Sequence, residues 1–205
     1  MPLVNRPALM VAALLSFAAA ASPQAIEFEN GGLKYQTLTR KGVTVMFTRM
    51  ASHLHDYAMW QVAVSNGSDV YWNIKPEDFS YQRTDGKVIQ AVPARDIVEQ
   101  MLERGSHADM VKLITSYEGA LYGIPHMKIS NGYEQRRQNA MAEGISAKFK
   151  AAAAASAVVL VPARVGPGQS TDGAIFIPGA SHQVTNGKIV VHSGGELFEF
   201  NPDQP

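Results

Sequence analysis

The residues best placed to do chemistry are His53, His55 and Asp56, in the run His53-Leu54-His55-Asp56. In an extended segment alternate side chains share a side, so His53 and His55 would point together and Asp56 could complete a metal site of nitrogen and oxygen donors. A further imidazole would have to come from His107, His126, His182 or His192, which are scattered along the chain. The plainer reading is a pair of polar side chains at a strand entry. His126-Met127 would suit copper, whereas Met101 and Met110 fall on helical stripes and read as core. Serine hydrolase chemistry would need a nucleophile elbow of the form G-x-S-x-G, and the sequence has none. Ser181 stands beside His182, but adjacency along the chain is not triad geometry. Glu77-Asp78 reads most simply as a solvated turn, and no H-E-x-x-H, P-loop or G-x-G-x-x-G motif occurs. The sequence therefore offers no catalytic set and no cofactor site.

Charge and composition narrow the class further. Eighteen basic residues balance eighteen acidic ones. A neutral chain has no field to draw it to nucleic acid, and Arg136-Arg137 reads as a solvated pair on a helix. The 46% hydrophobic content is enough for a real core. There is no cysteine. That excludes disulfides, thiolate metal sites, a cysteine nucleophile and the lipid-bearing cysteine of a lipoprotein. Arg6 followed by the apolar run Ala8 to Ala21, about 14 residues and short of the ~20 that span a bilayer, predicts a signal peptide. Ser22-Pro23-Gln24-Ala25 suits cleavage after Ala25, with a cut after Ala21 as the alternative. The expected organisation is a signal peptide at 1–25 and a single domain at 26–205, periplasmic or secreted, with no membrane span after cleavage. An exported chain without disulfides fits a bacterial protein better than a small eukaryotic secreted domain, and in that setting the glycosylation match Asn66-Gly67-Ser68 reads better as a turn.

The elements that would position these residues are mostly extended. Ala58, Trp60, Val62 and Val64 alternate with Met59, Gln61, Ala63 and Ser65, which predicts a strand with one buried and one wet face. Asn66-Gly67 turns the chain, and Tyr71 to Ile74 and Phe79 to Gln82 resume the extended pattern on either side of Pro76. Leu33 to Thr39 and Val43 to Thr48 read as earlier strands, Ala51 to His55 as a connection, and Val88 to Val92 as a short return. The period then changes. Ile97, Val98, Met101 and Leu102 form one helical stripe, and Met110, Leu113, Ile114, Tyr117 and Leu121 form another. A third helix is expected from Ser130 or Asn131 to about Ala157, closing in the alanine run Ala151 to Ala155. Val158 to Val161, Asp172 to Pro178, Lys188 to His192 and Glu196 to Phe200 return to strand composition, the last two as a hairpin about Gly194-Gly195. The order predicts a mainly β fold, an immunoglobulin-like β-sandwich with an α-helical insertion at about 94–157.

Three segments, Trp60 to Asn66, Ile74 to Val88 and Pro167 to Pro178, together resemble bacterial extracytoplasmic immunoglobulin-like modules of unknown function. Pro76, Phe79 and Gly86 fit the first pattern of that family, with Tyr81 where an aliphatic residue is usual. Pro167, Gly168, Gly173, Phe176 and Pro178 fit the second approximately. The resemblance covers about half the mature chain, omits the helical block, and implies fold and location without implying an activity. On that reading Phe176 fills the space between two sheets near Trp60, and the helices hang from one margin. The expected role is a non-catalytic cell-envelope binding or protein-interaction module, with the helical insertion as the partner surface. The alternative is a periplasmic metal-binding protein using His53, His55 and Asp56.

Overall fold

The computed structural model describes residues 25–123, 132–141, 146–179 and 187–201. The signal segment up to residue 24, His126-Met127 and Ser181-His182 lie outside the described residues. The fold is mainly β, with several antiparallel sheets and four helices. Its strands are β1 (Ile26–Asn30), β2 (Leu33–Arg40), β3 (Val43–Leu54), β4 (Tyr57–Asn66), β5 (Trp72–Ile74), β6 (Phe79–Arg83) and β7 (Val88–Gln90). After the helices come β8 (Ala163–Val165), β9 (Ser170–Pro178), β10 (Gly187–Ser193) and β11 (Glu196–Phe200). One sheet runs β1-β2-β3-β4-β9, a second β11-β10-β6-β7, and a two-stranded ribbon pairs β5 with β8.

The first two sheets face each other across an aromatic core. Val45, Phe47, Trp60, Val62 and Ile175 come from one side, and Phe79, Tyr81, Val191, Phe198 and Phe200 from the other. Trp60 lies 6.3 Å from Tyr81 and Phe47 lies 5.0 Å from Phe200, ring centre to ring centre. Each such side chain contributes about 1.5–3 kcal/mol through burial, so this layer is a large favourable part of folding.

The alternation in β4 is present, but its second face is not wet. Met59, Gln61 and Ala63 are as buried as Trp60 and Val62. The reason is a third layer. The helices α1 (Ala94–Arg104), α2 (His107–Leu121), α3 (Tyr133–Ala140) and α4 (Ala147–Val158) cover the far face of the five-stranded sheet. Phe176 pairs in register with Met59, one residue out of phase with Trp60, and so points to the helices. Trp60 and Phe176 therefore belong to two different cores, which overturns their expected meeting between the sheets. A one-residue phase difference along a strand reverses the face.

The helical block lies where its chain position predicts, between β7 and β8, but it spreads over a sheet instead of hanging from an edge. Ile97 and Met101 of α1, and Met110, Leu113, Ile114 and Tyr117 of α2, are its buried stripes. Ser106 caps α2, with Asp109 reaching back to the Ser106 N–H at 2.9 Å. The single long helix predicted up to Ala157 is two helices. Ser146 caps the second by accepting from the Phe149 N–H, and Gly144 in the sequence between them is a poor helix former. Helix continues through Val158, so the strand expected at Val158 to Val161 reduces to a parallel bridge between Val159 and Ala174. β3 likewise runs on past Ala51, through a register irregularity between Arg49 and His53, where a connection was expected.

Candidate functional site

His53, His55 and Asp56 do not converge. His53 is exposed and pairs with Ala58, which places it on the face of Trp60. His55 occupies the turn after β3 with φ of 50°, a left-handed conformation uncommon outside glycine, and is thrown toward the helices. Its Nε2 lies 3.5 Å from Asp109 Oδ1 on α2, close enough for an ion pair but not aligned as a hydrogen bond. Asp56 is exposed and its carbonyl accepts from the Gly179 N–H at 2.9 Å. The alternation that would align two imidazoles ends at Leu54, because the chain reverses there. No group of three or more histidine or acidic side chains among the described residues could hold a metal ion.

A different constellation forms at the end of the two-sheet core, in an open cleft of about 440 Å³ between the β5–β8 ribbon and the β10–β11 turn. Trp72, Ile74 and Val165 anchor the inner face of the ribbon in the core. Alternation then turns Asn73 outward, opposite Arg164 in register, and the exposed Lys75 continues the same face. The Arg164 guanidinium lies 4.1 Å from the centre of the Tyr71 ring, a cation–π contact at an exposed site. His192 and Ser193 bring the end of β10 to the opposite wall.

The wall is stitched rigidly. Trp72 Nε1 donates to Ser193 Oγ at 2.7 Å, and Ser193 Oγ donates to the Asn73 carbonyl at 2.8 Å. Gly194 and Gly195 both take positive φ, as a two-residue hairpin requires, and a Cβ on Gly194 would lie 2.5 Å from the Trp72 indole. Asp78 Oδ2 accepts from the Lys75 N–H at 3.0 Å, closing the single 3₁₀ turn Pro76–Asp78. Burial raises the Asp78 carboxyl above its ordinary range, against the Lys75 N–H and the charges of Lys75 and His192, which lower it. Lys75 and Arg164 form no ion pair among the described residues. The cleft thus presents two cationic side chains and an imidazole against one carboxyl already committed to a turn.

A second concavity of about 400 Å³, lined by Lys34, Gln36, Phe47 and Arg49, carries cations as well. There Glu29 stands opposite Lys34 and Glu27 approaches Gln36 at 3.3 Å, so its charge is offset locally. Between sheet and helices lies a buried polar group in which the Tyr117 hydroxyl donates to Asp172 and the Tyr133 hydroxyl donates to Glu118. Both Asp172 and Tyr117 are enclosed. Their position makes them part of the interlayer packing.

Sequence reasoning recognised the strand at Tyr71 to Ile74 and the closing hairpin but did not join them. Asn73, Arg164 and His192 are separated by long stretches of chain, and no local spacing relates them. The available signal was the short alternating run Tyr71-Trp72-Asn73-Ile74-Lys75, whose polar members had no assigned destination.

No protein-family model matches the chain, and no curated protein matches it. Among solved structures the chain is similar to the crystal structure of the yjhA protein from Bacillus subtilis. That likeness has 8% identity and a TM-score of 0.34, over 82% of this chain and 77% of that one. At that TM-score it carries no argument about fold or role.

Proposed function

We propose that this protein is a non-catalytic ligand-binding module of the bacterial cell envelope, built on an immunoglobulin-like β-sandwich, and that the cleft between the β5–β8 ribbon and the β10–β11 turn is its binding surface. The observation that carries this reading is the preorganised wall of that cleft. Trp72, Ser193 and Asn73 are locked in one hydrogen-bonded chain beside the outward-facing side chains of Asn73, Lys75 and Arg164. A rigid frame under free polar groups is what a binding site needs.

Support for a non-catalytic role comes from the same contacts. The Ser193 hydroxyl gives its proton to a backbone carbonyl, and Asp78 is engaged by a backbone N–H, so neither is poised as nucleophile or base. The apolar run Ala8 to Ala21 after Arg6 and the lack of cysteine support export without a lipid anchor. Among the described residues no helix is long and apolar enough to cross a membrane. A protein partner at the inserted helices would meet their solvent side, where Leu102, Val111 and Phe149 are exposed.

The test is retention. Immobilised protein is incubated with envelope extract, beside an Asn73→Trp variant in which the cleft is filled from an exposed position. Loss of a retained component in the variant supports the reading, and identical retention rejects the cleft. Metal binding at His55, with Asp109 of α2 in place of a converged set of His53, His55 and Asp56, is the second reading. In its favour, the half-buried His55 Nε2 has no hydrogen-bond partner and lies near a second potential ligand, Asp109. Unchanged metal content in a His53→Ala/His55→Ala double variant would reject it.

A further inference from the structure

We infer that the ligand of this cleft is a small organic anion, held through a carboxylate or phosphate group by Lys75 and Arg164. The inference rests on the cleft being a binding surface and names what that surface recognises.

Three observations lead to it. First, the volume, about 440 Å³, lies in the range of small-molecule sites. Second, the charge is one-sided. Lys75 and Arg164 have no ion-pair partner among the described residues, and His192 adds a donor from the opposite wall. The facing carboxyl, Asp78, is turned to the Lys75 backbone. Two cations without an ion-pair partner on the ribbon wall of this concavity focus a positive potential into it. Third, the cations are differently constrained. Arg164 lies over the ring of Tyr71, which limits its movement and leaves a planar fork of donors able to grip two oxygens at once. Lys75 is an exposed ammonium on a long stem just past the end of β5. A fixed fork beside an adjustable charge suits an oxyanion whose second oxygen varies in position, which both carboxylate and phosphate offer.

The experiment follows backbone amide signals of isotope-labelled protein during titration with glucose, glucuronate and a glucose phosphate. These share a ring and differ in the anionic group. Saturable shifts at Asn73, Lys75, Arg164 and Gly194 are expected from an anion and none from glucose. Response to glucuronate identifies carboxylates as the source, and response to the phosphate ester alone identifies phosphates. Binding should weaken on the order of tenfold in a Lys75→Gln/Arg164→Gln variant, equivalent to about 1.4 kcal/mol. It should also weaken with added salt. A Lys75→Arg variant keeps the charge and the Arg164 fork and should keep most of the binding, which separates charge from folding. Equal shifts from glucose, no shifts from either anion, or unchanged anion affinity in the glutamine variant would overturn the inference. None of those outcomes touches the wider reading, which falls only if Asn73→Trp leaves envelope retention unchanged.

Discussion

Single residues carry the rigidity of the cleft. Gly194 must hold a left-handed backbone against the Trp72 indole, so Gly194→Ala meets both conformational strain and a Cβ clash at 2.5 Å. A loss of about 2–3 kcal/mol in denaturant unfolding is expected, with amide shifts concentrated at Trp72 and Ser193. Asp78 gives the site its pH signature. Its pKa is raised in the folded state, chiefly by burial, so the native form holds its proton more tightly than the unfolded chain. The associated stability is present below the ordinary carboxylate value of 3.8 and is lost as pH rises through the raised value. Asp78→Asn removes this dependence while keeping an oxygen for the Lys75 N–H. Relative to wild type, the variant should therefore gain stability between acid and neutral pH, as unfolding curves at several pH values would reveal. Gln61 is fully buried with both amide atoms unpartnered among the described residues. Gln61→Met should stabilise the protein by about 1–2 kcal/mol, since it replaces unmet polar atoms with an apolar chain of similar length. A loss of stability would mean that the amide is hydrogen-bonded in solution.

At the scale of elements, the alanine run of α4 explains how three other helices gather round it. Ala151, Ala154 and Ala155 are fully buried, and small side chains permit close approach. Gly105, after α1, lies against that surface, where an added Cβ would sit 2.6 Å from the Ala151 Cβ and 2.4 Å from the Met101 carbonyl. Its φ of −64° is open to any residue, so the constraint is contact alone. Gly119, inside α2, has nothing within 4 Å of an added Cβ. The two glycines should respond oppositely to alanine. Gly105→Ala is expected to cost about 1–3 kcal/mol by overpacking, and Gly119→Ala to add about 0.5–1 kcal/mol through helix propensity. Thermal unfolding of both variants decides whether close helix contact or propensity governs each position.

For the whole molecule, the helical layer is half of the interior and not an appendage. Met59 and Phe176 are buried in the core that the helices form over the sheet. Replacing residues 94–158 with a short glycine-serine linker should therefore leave a chain that aggregates or lacks dispersed amide signals. A cooperatively folded product would show that the two-sheet core is sufficient and the helices accessory. The strands around Trp60, the hairpin at Gly194-Gly195 and the stripes of α1 and α2 were legible in the sequence, because alternation, turn chemistry and the 3.6-residue period are local properties. Local pattern also fixed the balanced charge and the lack of thiol chemistry. What covers the second face of β4 is not local: Gln61 and Ala63 look polar or small enough to face water, and only tertiary packing encloses that face, Tyr35 of β2 against Ala63 and the helical layer against Met59. The same holds for the two sets of candidate ligands. His53 and His55 are close in sequence but are parted by a chain reversal, whereas Asn73, Arg164 and His192 are far apart and meet because two ribbons end at one rim. Periodicity records which side of an element a residue takes; the neighbour on that side is chosen by packing among distant segments.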